Sequence, residues 1–462
     1  MSSNSLSEIR EKFILAALAK LQGADMTGDP ATADLLLNGA LLKTLDTVGN
    51  DAPELMSDLE SYDANPHYVG VAYNRATDTF ERLGAAQGEA VGSLFNMNLS
   101  PVFSKLRRVV LTDAGDVYKG ISLADKTKHD DGSDVALDGS NGQIMVEYQP
   151  AWYRTGVWGD WVYVMLSHLP LPGFSLFPLF DGMDAVYRGA YEASVYDDGS
   201  GDKLYSIAKS PADGTSDVYP VTTRSGDWGH SSLTTQATDA LAIARGTGWQ
   251  QEDLLAAMWE RFLMVVGYAS FDIPGIVGDG RINITVGDWV NGERIGKCGL
   301  GDASAGYASA VQNGGSAGYD TDHSMVFLIE NPWGNVWKRV ASLVNSGALY
   351  YKPQPPYDYG STSGWTRLQD ALGTDITLPQ ASGWAGTPHS GLGMVLPSDV
   401  TGSSSTKMHD YYYYSSGLRV LRVGGHADSG SLAGPFSWSA YGAASNTVAH
   451  VGGRLCYKKA AV

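Results

Sequence analysis

The most informative pattern in the chain is found at residues 418–457, which read LRVLRVGGHADSGSLAGPFSWSAYGAASNTVAHVGGRLCY. Within it, residues 436–441 alternate between large rings and small or polar side chains. That period of two is typical of a β-strand, whose successive side chains point to opposite faces. The alternation predicts that Phe436 and Trp438 point into the core. It predicts solvent-facing positions for Ser437, Ser439 and Tyr441.

Three stretches, in the order that one known fold requires, carry a resemblance. They are YRGAYEAS (187–194), ENPWGNVWKRV (330–340) and the terminal stretch. The terminal stretch resembles the R-V-x-R-G-G and G-x-R motifs of C-type-lectin-like domains of the sulfatase-modifying-factor branch. Its matching residues are Arg419, Val420, Arg422, Gly424, Gly425, Gly452 and Arg454. The resemblance implies an α+β, C-type-lectin-like fold with long loop insertions.

The chain is still more similar to a subset of this branch found in phage tail proteins and in the variable proteins of diversity-generating retroelements, the major-tropism-determinant-like group. The further matches are Gly430, Ala433, Gly434, Phe436, Ser445 and Leu455. The stretches ARGTGW (244–249) and IMVEYQPAWYR (144–154) also resemble phage structural proteins. The chain departs from the family at Ala427, where tryptophan is usual.

The resemblance implies a variable segment at about residues 424–454. In such proteins, Asn codons of the AAC type are mutated at their adenines, and Trp438 cannot be reached from AAC by changes at its first two bases. The ligand-contacting positions implied in this way are His426, Asp428, Leu432, Ser437, Ser439, Tyr441, Gly442, Val448 and His450. The implied scaffold is Arg422, Gly424, Gly425, Phe436, Trp438, Gly452 and Arg454. Two alternatives remain open: Gly442 as a simple turn residue and His450 as an ordinary surface histidine.

Composition favours a globular binding protein. Hydrophobic residues form 43% and charged residues 18% of the 462 residues, and glycine (56), tyrosine (25) and tryptophan (12) are plentiful. Glycine permits tight backbone paths, while tyrosine and tryptophan supply rigid contact area. The formal charge of -18 disfavours a nucleic-acid partner, which selects basic surfaces.

No residue pattern indicates a catalytic, metal or cofactor site. The chain has two distant cysteines, Cys298 and Cys456, and His323 has no evident serine or cysteine partner in the sequence. The acidic loops at 125–134 and 196–202 lack the full ligand spacing of a calcium loop and are interpreted as solvated turns. His230 is likewise interpreted as a structural or surface residue.

Three regions are predicted along the chain: a helical N-terminal assembly region (1–65), a β-rich region (66–139) and a lectin-like domain (140–462). Two helices are predicted inside the third, one capped by Ser232 or Thr234 and one over residues 250–267. No signal peptide is expected. The apolar stretch 162–180 contains three prolines, which argues against a membrane span.

Three functions remain in competition. The resemblance implies a receptor-binding protein at a phage tail fibre tip, with a host surface protein or glycan and tail components as partners, homotrimeric by analogy and located in the virion. A non-diversified structural tail protein predicts the same fold. A formylglycine-generating-like oxidase is disfavoured because the residues 435–445 lack cysteine, and an H-x-x-x-H-x-E iron motif is missing.

Overall fold

The computed structural model describes residues 67–197, 199–220, 233–284, 295–312, 322–370, 373–406, 408, 410–448 and 450–461. The helical region predicted for residues 1–65 lies outside the described residues, as do His230 and Ser232. The described chain is β-rich with few helices, consistent with the α+β class.

The described residues contain 26 strands and four α-helices. In chain order the strands are β1 (Tyr68–Asn74), β2 (Thr79–Gly84), β3 (Arg107–Leu111), β4 (Val117–Ile121), β5 (Gln143–Tyr148), β6 (Trp152–Trp158), β7 (Trp161–Ser167), β8 (Ser175–Leu176), β9 (Met183–Gly189), β10 (Ser194–Asp197), β11 (Asp202–Tyr205), β12 (Trp249–Gln251), β13 (Ala308–Val311), β14 (His323–Val326), β15 (Ile329–Glu330), β16 (Trp337–Arg339), β17 (Leu343–Asn345), β18 (Ala348–Tyr351), β19 (Thr366–Arg367), β20 (Gly383–Trp384), β21 (Tyr411–Tyr414), β22 (Leu418–Arg419), β23 (Arg422–Val423), β24 (Trp438–Ala440), β25 (Val451–Gly452) and β26 (Leu455–Ala460). The helices are α1 (Pro101–Ser104), α2 (Thr235–Ile243), α3 (Leu254–Tyr268) and α4 (Ile273–Val277), with short 3-10 turns at Met97–Leu99, Pro178–Phe180, Gly391–Gly393 and Gly430–Leu432.

The described chain divides into two compact units. The first comprises residues 67–104, 151–177 and 266–269. Its five-stranded antiparallel sheet has the order β2-β1-β7-β6-β8. Gly70 in β1 is required there, because a Cβ at this position would lie 2.5 Å from the carbonyl oxygen of Val164 on β7.

The second unit comprises the described residues of 105–150, 178–265 and 270–462. One six-stranded antiparallel sheet has the order β12-β26-β9-β5-β3-β4, so the last strand lies between β9 and β12. A second six-stranded sheet has the order β20-β21-β24-β23-β16-β25, and smaller sheets are formed by β10-β11, β13-β14-β15 and β19-β18-β17-β22. The boundary expected at residue 139 does not separate units, because β3 pairs with β5 across it.

The two helices expected in the second half of the chain are present. Thr234 caps α2 by accepting a hydrogen bond from the backbone N–H of Ala237 at 3.1 Å. The next helix begins at Leu254, not at residue 250, because Trp249–Gln251 pairs with β26 as a strand. Asp253 then accepts from the N–H of Ala256 in the first turn of α3. In the described part of the chain, no helix combines the length and apolar character needed to cross a bilayer.

Candidate functional site

The terminal stretch, residues 418–457, contributes β23, β24 and β25 to the second six-stranded sheet. Trp438 is aligned with Tyr412 on β21 and with Val423 on β23, so their side chains share the inner face. All three are buried, and the indole N–H of Trp438 donates to the carbonyl oxygen of Val395 at 2.9 Å. Phe436 is also buried. The prediction that Phe436 and Trp438 point into the core is confirmed.

The glycine pair 424–425 has no room for side chains. Both residues have positive φ, +97° and +76°. A Cβ on Gly424 would lie 2.8 Å from the carbonyl oxygen of Pro332, and one on Gly425 would lie 2.4 Å from Cβ of Ala433. Glycine adopts this backbone conformation without strain, so the pair fixes the path of the chain out of β23.

Arg454 connects distant backbone segments inside the second unit. Its guanidinium is fully buried and donates to the carbonyl oxygens of Gly189 (2.9 Å), Glu330 (2.7 Å) and Asn331 (3.2 Å). The nearby Gly452 pairs with Lys338 in the sheet. Both residues of the G-x-R motif therefore hold the end of residues 424–454 in place.

A buried ion network lies beside this arginine. Arg188 is 2.5 Å from a carboxylate oxygen of Glu252 and 2.5 Å from one of Glu260, with all three side chains fully buried. Lys338 lies 3.0 Å from Glu192. Burial lowers the pKa of Lys338 to about 8, against the opposing attraction of Glu192. The network makes this part of the core intolerant of single charge deletions.

Ser437 and Ser439 correct the sequence-based expectation. They do point away from Trp438, but they are 0% and 5% exposed, so the expectation that they face solvent is wrong. The strands β21 and β16 flank β24 and β23, which puts their backbones about 14 Å apart at the usual spacing of ~4.8 Å. The rings of Tyr413 and Trp337 are nevertheless 5.8 Å apart. Tyr413 is aligned with Ser439, and the hydroxyl of Ser437 donates to the carbonyl oxygen of Tyr411 at 2.9 Å, so both serines are packed against neighbouring strands.

Gly442 is a second correction. It is buried, and its Cα faces the guanidinium of Arg422. A Cβ there would lie 2.1 Å from Nη2 and 2.4 Å from Cζ of Arg422, which is itself buried. Burial lowers the pKa of Arg422 to about 10. Gly442 therefore provides space for a scaffold residue and offers no side chain to a ligand.

His426, Asp428 and His450, three of the nine expected contact positions, form a half-exposed cluster. Nδ1 of His426 lies 2.6 Å from Oδ1 of Asp428, and the rings of His426 and His450 are 4.6 Å apart. Burial, and then the neighbouring His426 and Arg422, lower the pKa of His450 to about 4. His450 is thus neutral near pH 7. It is not the ordinary surface histidine that sequence reasoning left open.

The remaining expected contact positions differ in exposure. Tyr441 is 59% exposed, the largest value among the exposed large hydrophobic side chains of the described residues. Leu432 is half-exposed at the end of a 3-10 turn, and Val448 is half-exposed.

Sequence reasoning missed a row of fixed aromatic rings beside the cluster. It runs from Trp384 through Tyr411 and Tyr413 to Trp337, with successive centroids 5.6, 4.6 and 5.8 Å apart, and Trp337 continues to His426 at 6.3 Å. We call these four rings the aromatic row. The run Tyr411–Tyr414 was the available signal, because alternate residues of a strand share one face.

The other candidates for a reactive or metal-binding side chain are the two cysteines and His323. Cys298 and Cys456 are both buried, and burial raises the pKa of each thiol. His323, which lacked an evident partner in the sequence, lies with Nε2 3.2 Å from the hydroxyl oxygen of Ser309. Among the described residues, no group of three or more His, Cys, Asp or Glu side chains is placed to hold a metal ion.

Comparison with protein-family models and with curated proteins finds no match to this chain.

Proposed function

We propose that the protein is a receptor-binding protein that recognises its ligand with the face carrying His426, Asp428, Tyr441 and His450. The observation that supports this most directly is the division within residues 424–454. Residues expected to be scaffold are buried and tied to distant strands, whereas these four side chains remain accessible. A fixed backbone with accessible rings and imidazoles binds with a small loss of conformational entropy.

The aromatic row extends this face. Trp384, Tyr411 and Tyr413 are half-buried, so part of each side chain remains accessible beside the histidine cluster. Aromatic side chains dominate the energetics of many interfaces. The ligand surface in this proposal has two parts, namely fixed rings from β20 and β21 and interchangeable side chains from the terminal segment.

The cellular setting rests on the sequence resemblance. It places the protein at a phage tail fibre tip, where a host surface protein or glycan is the receptor and tail components are the other partners. Several copies of a weak site can raise avidity by ~100-fold to 10,000-fold, which favours a homotrimer. Sedimentation equilibrium of the full chain tests that assembly, and a monomer at micromolar concentration contradicts it.

The experiment for the binding face uses labelled full-length protein and a panel of bacterial strains. A quadruple variant has alanine at His426, Asp428, Tyr441 and His450. We expect it to lose binding to the recognised strain while its melting temperature stays unchanged. The matched control is Tyr118→Ala, because Tyr118 is 49% exposed on β4 in the other large sheet. Binding that survives the fourfold change, or that is lost equally in the control, contradicts the proposal.

A non-diversified structural tail protein is the second candidate, because it uses the same fold. The neighbouring DNA distinguishes the two. Diversification requires a reverse transcriptase gene and a near-copy of the segment that encodes residues 424–454, mismatched mainly at template adenines. If both are missing, the fixed structural role is favoured.

A further inference from the structure

A pocket of about 400 Å³ lies in the second unit, at the end of the sheet that contains β3 and β5. Its wall includes Asp113, Asp138 and Asn141, with Tyr205 and Arg245 among the buried lining residues. None of its lining residues belongs to the segment 424–454 or to the aromatic row. It is therefore a separate candidate site made of fixed residues.

Arg245 is held rigidly in this pocket. Its Nε donates to the carbonyl oxygen of Leu204 at 2.6 Å, and its Nη1 pairs with the carboxylate of Asp113. The guanidinium carbon lies 4.1 Å from the ring centroid of Tyr205 and 5.5 Å from that of Trp249. A ligand that contacts this guanidinium would not have to order it first.

The opposite wall is a fixed turn that precedes β5. Oδ1 of Asp138 accepts from the N–H of Ser140 at 2.9 Å, and the N–H of Gly142 donates to the carbonyl oxygen of Gly139 at 3.0 Å. Gly142 has φ +127°, and a Cβ there would lie 2.3 Å from the carbonyl oxygen of Leu111. Only glycine fits this position, so the turn and the carboxylate of Asp138 are held in place.

The hydrogen-bond donors and acceptors that line the pocket favour one class of ligand. Carboxylate oxygens of Asp113 and Asp138 accept hydrogen bonds, the guanidinium of Arg245 donates them, and the amide of Asn141 can do both. An apolar ligand would strip water from the carboxylates without replacing their hydrogen bonds. A phosphate-bearing ligand would meet the carboxylate of Asp138, while the cation of Arg245 is already paired with Asp113. Neutral hydroxyl groups, which both donate and accept, satisfy acceptors and donors together.

We propose that this pocket binds a neutral mono- or disaccharide. Its volume falls at the small end of the ~300–1,000 Å³ that is usual for ligand pockets. The hydroxyl groups of the sugar donate to Asp113 and Asp138 and accept from the amide of Asn141, while Arg245 holds Asp113 in place. The site remains constant when the terminal segment varies, because its residues lie outside that segment.

Saturation-transfer NMR tests the proposal on the full chain with glucose, galactose, mannose, N-acetylglucosamine, lactose and maltose as probes. We expect transfer to at least one sugar, weakened about tenfold or more in Asp138→Ala. Asn141→Trp provides a second test, since Asn141 is exposed and a larger ring at the mouth obstructs entry without entering the core. Thr366→Ala, at an exposed position on β19, is the matched control and keeps full transfer.

The outcomes are distinct. Loss of transfer in Asn141→Trp with an unchanged melting temperature supports the site even where Asp138→Ala is unstable. The natural ligand is either the terminal sugar of a glycan or a free sugar, and immobilised oligosaccharides that end in the same sugar distinguish the two. Binding to the immobilised oligosaccharides assigns a glycan end, and binding to the soluble sugars alone assigns a free sugar. Failure of all six sugars to show transfer, or transfer that both pocket variants retain in full, overturns the proposal.

Discussion

Replacing Ser439 with tyrosine is expected to destabilise the fold, although Ser439 lies inside the proposed variable segment. Its backbone is aligned with Tyr413 on one side and with Arg422 on the other. The side chain is only 5% exposed, and the two aligned residues share its face of the sheet. A new ring has no space unless Tyr413 or Arg422 moves.

The magnitude follows from overpacking. Extra atoms in a packed site cost about 1–3 kcal/mol of the free energy of unfolding. At about 2–4 °C per kcal/mol for domains of 150–250 residues, the melting temperature is expected to fall by about 2–12 °C. The matched change is Tyr441→Ser, which removes a 59% exposed ring two positions away and is expected to alter stability by about 0.5 kcal/mol or less.

Thermal melting followed by circular dichroism, together with urea unfolding, measures both variants. The ordering is the diagnostic result: Ser439→Tyr below wild type, and Tyr441→Ser equal to it. If Ser439→Tyr has the same melting temperature and urea midpoint as wild type, the site around Ser439 has room for a ring, and Ser439 becomes an ordinary display position.

Three further changes test the scaffold. Arg454→Met removes three hydrogen bonds from a fully buried cation, and a loss of about 3–5 kcal/mol in urea unfolding is expected; a loss below about 1 kcal/mol contradicts the scaffold role. Burial raises the pKa of Asp239 from its ordinary 3.8 to about 7, so this carboxyl weakens the folded state progressively as pH rises from about 4 to about 7, by up to about 4 kcal/mol. As pH rises across that window, the free energy of unfolding of Asp239→Asn is expected to increase relative to that of wild type. A difference between the two proteins that does not change with pH refutes this. Gly442→Val displaces the guanidinium of Arg422 and is expected to lower stability by about 1–3 kcal/mol, whereas an unchanged melting temperature would return Gly442 to the contact set.

The sequence was sufficient where local rules decide the structure. Strand alternation placed Trp438 inside, and a capping threonine placed the start of α2. Phe436 is buried as expected, but it lies in a turn before β24 and not in the strand. The region predicted to be β-rich, residues 66–139, contains β1 to β4. In each case the neighbours in sequence carry the physical cause.

The sequence failed where residues far apart along the chain meet. The buried positions of Ser437 and Ser439 involve Tyr411, Tyr413 and Arg422, which come from other strands of the sheet. The space taken by Arg422 decides the role of Gly442, and the pairing of Trp249–Gln251 with β26 delays the start of α3. Alternation tells which face a side chain points to, but it does not tell what covers that face.

Footprinting tests directly whether the face with His426 and Tyr441 binds the ligand. Hydroxyl-radical labelling of the full chain is measured free and bound to cells of a recognised strain, and the labelling of individual side chains is compared. We expect protection of Tyr441, His426 and Tyr413 on binding, with Tyr118 labelled equally in both states. Protection confined to Tyr118 and its surroundings, with Tyr441 labelled as before, would contradict it.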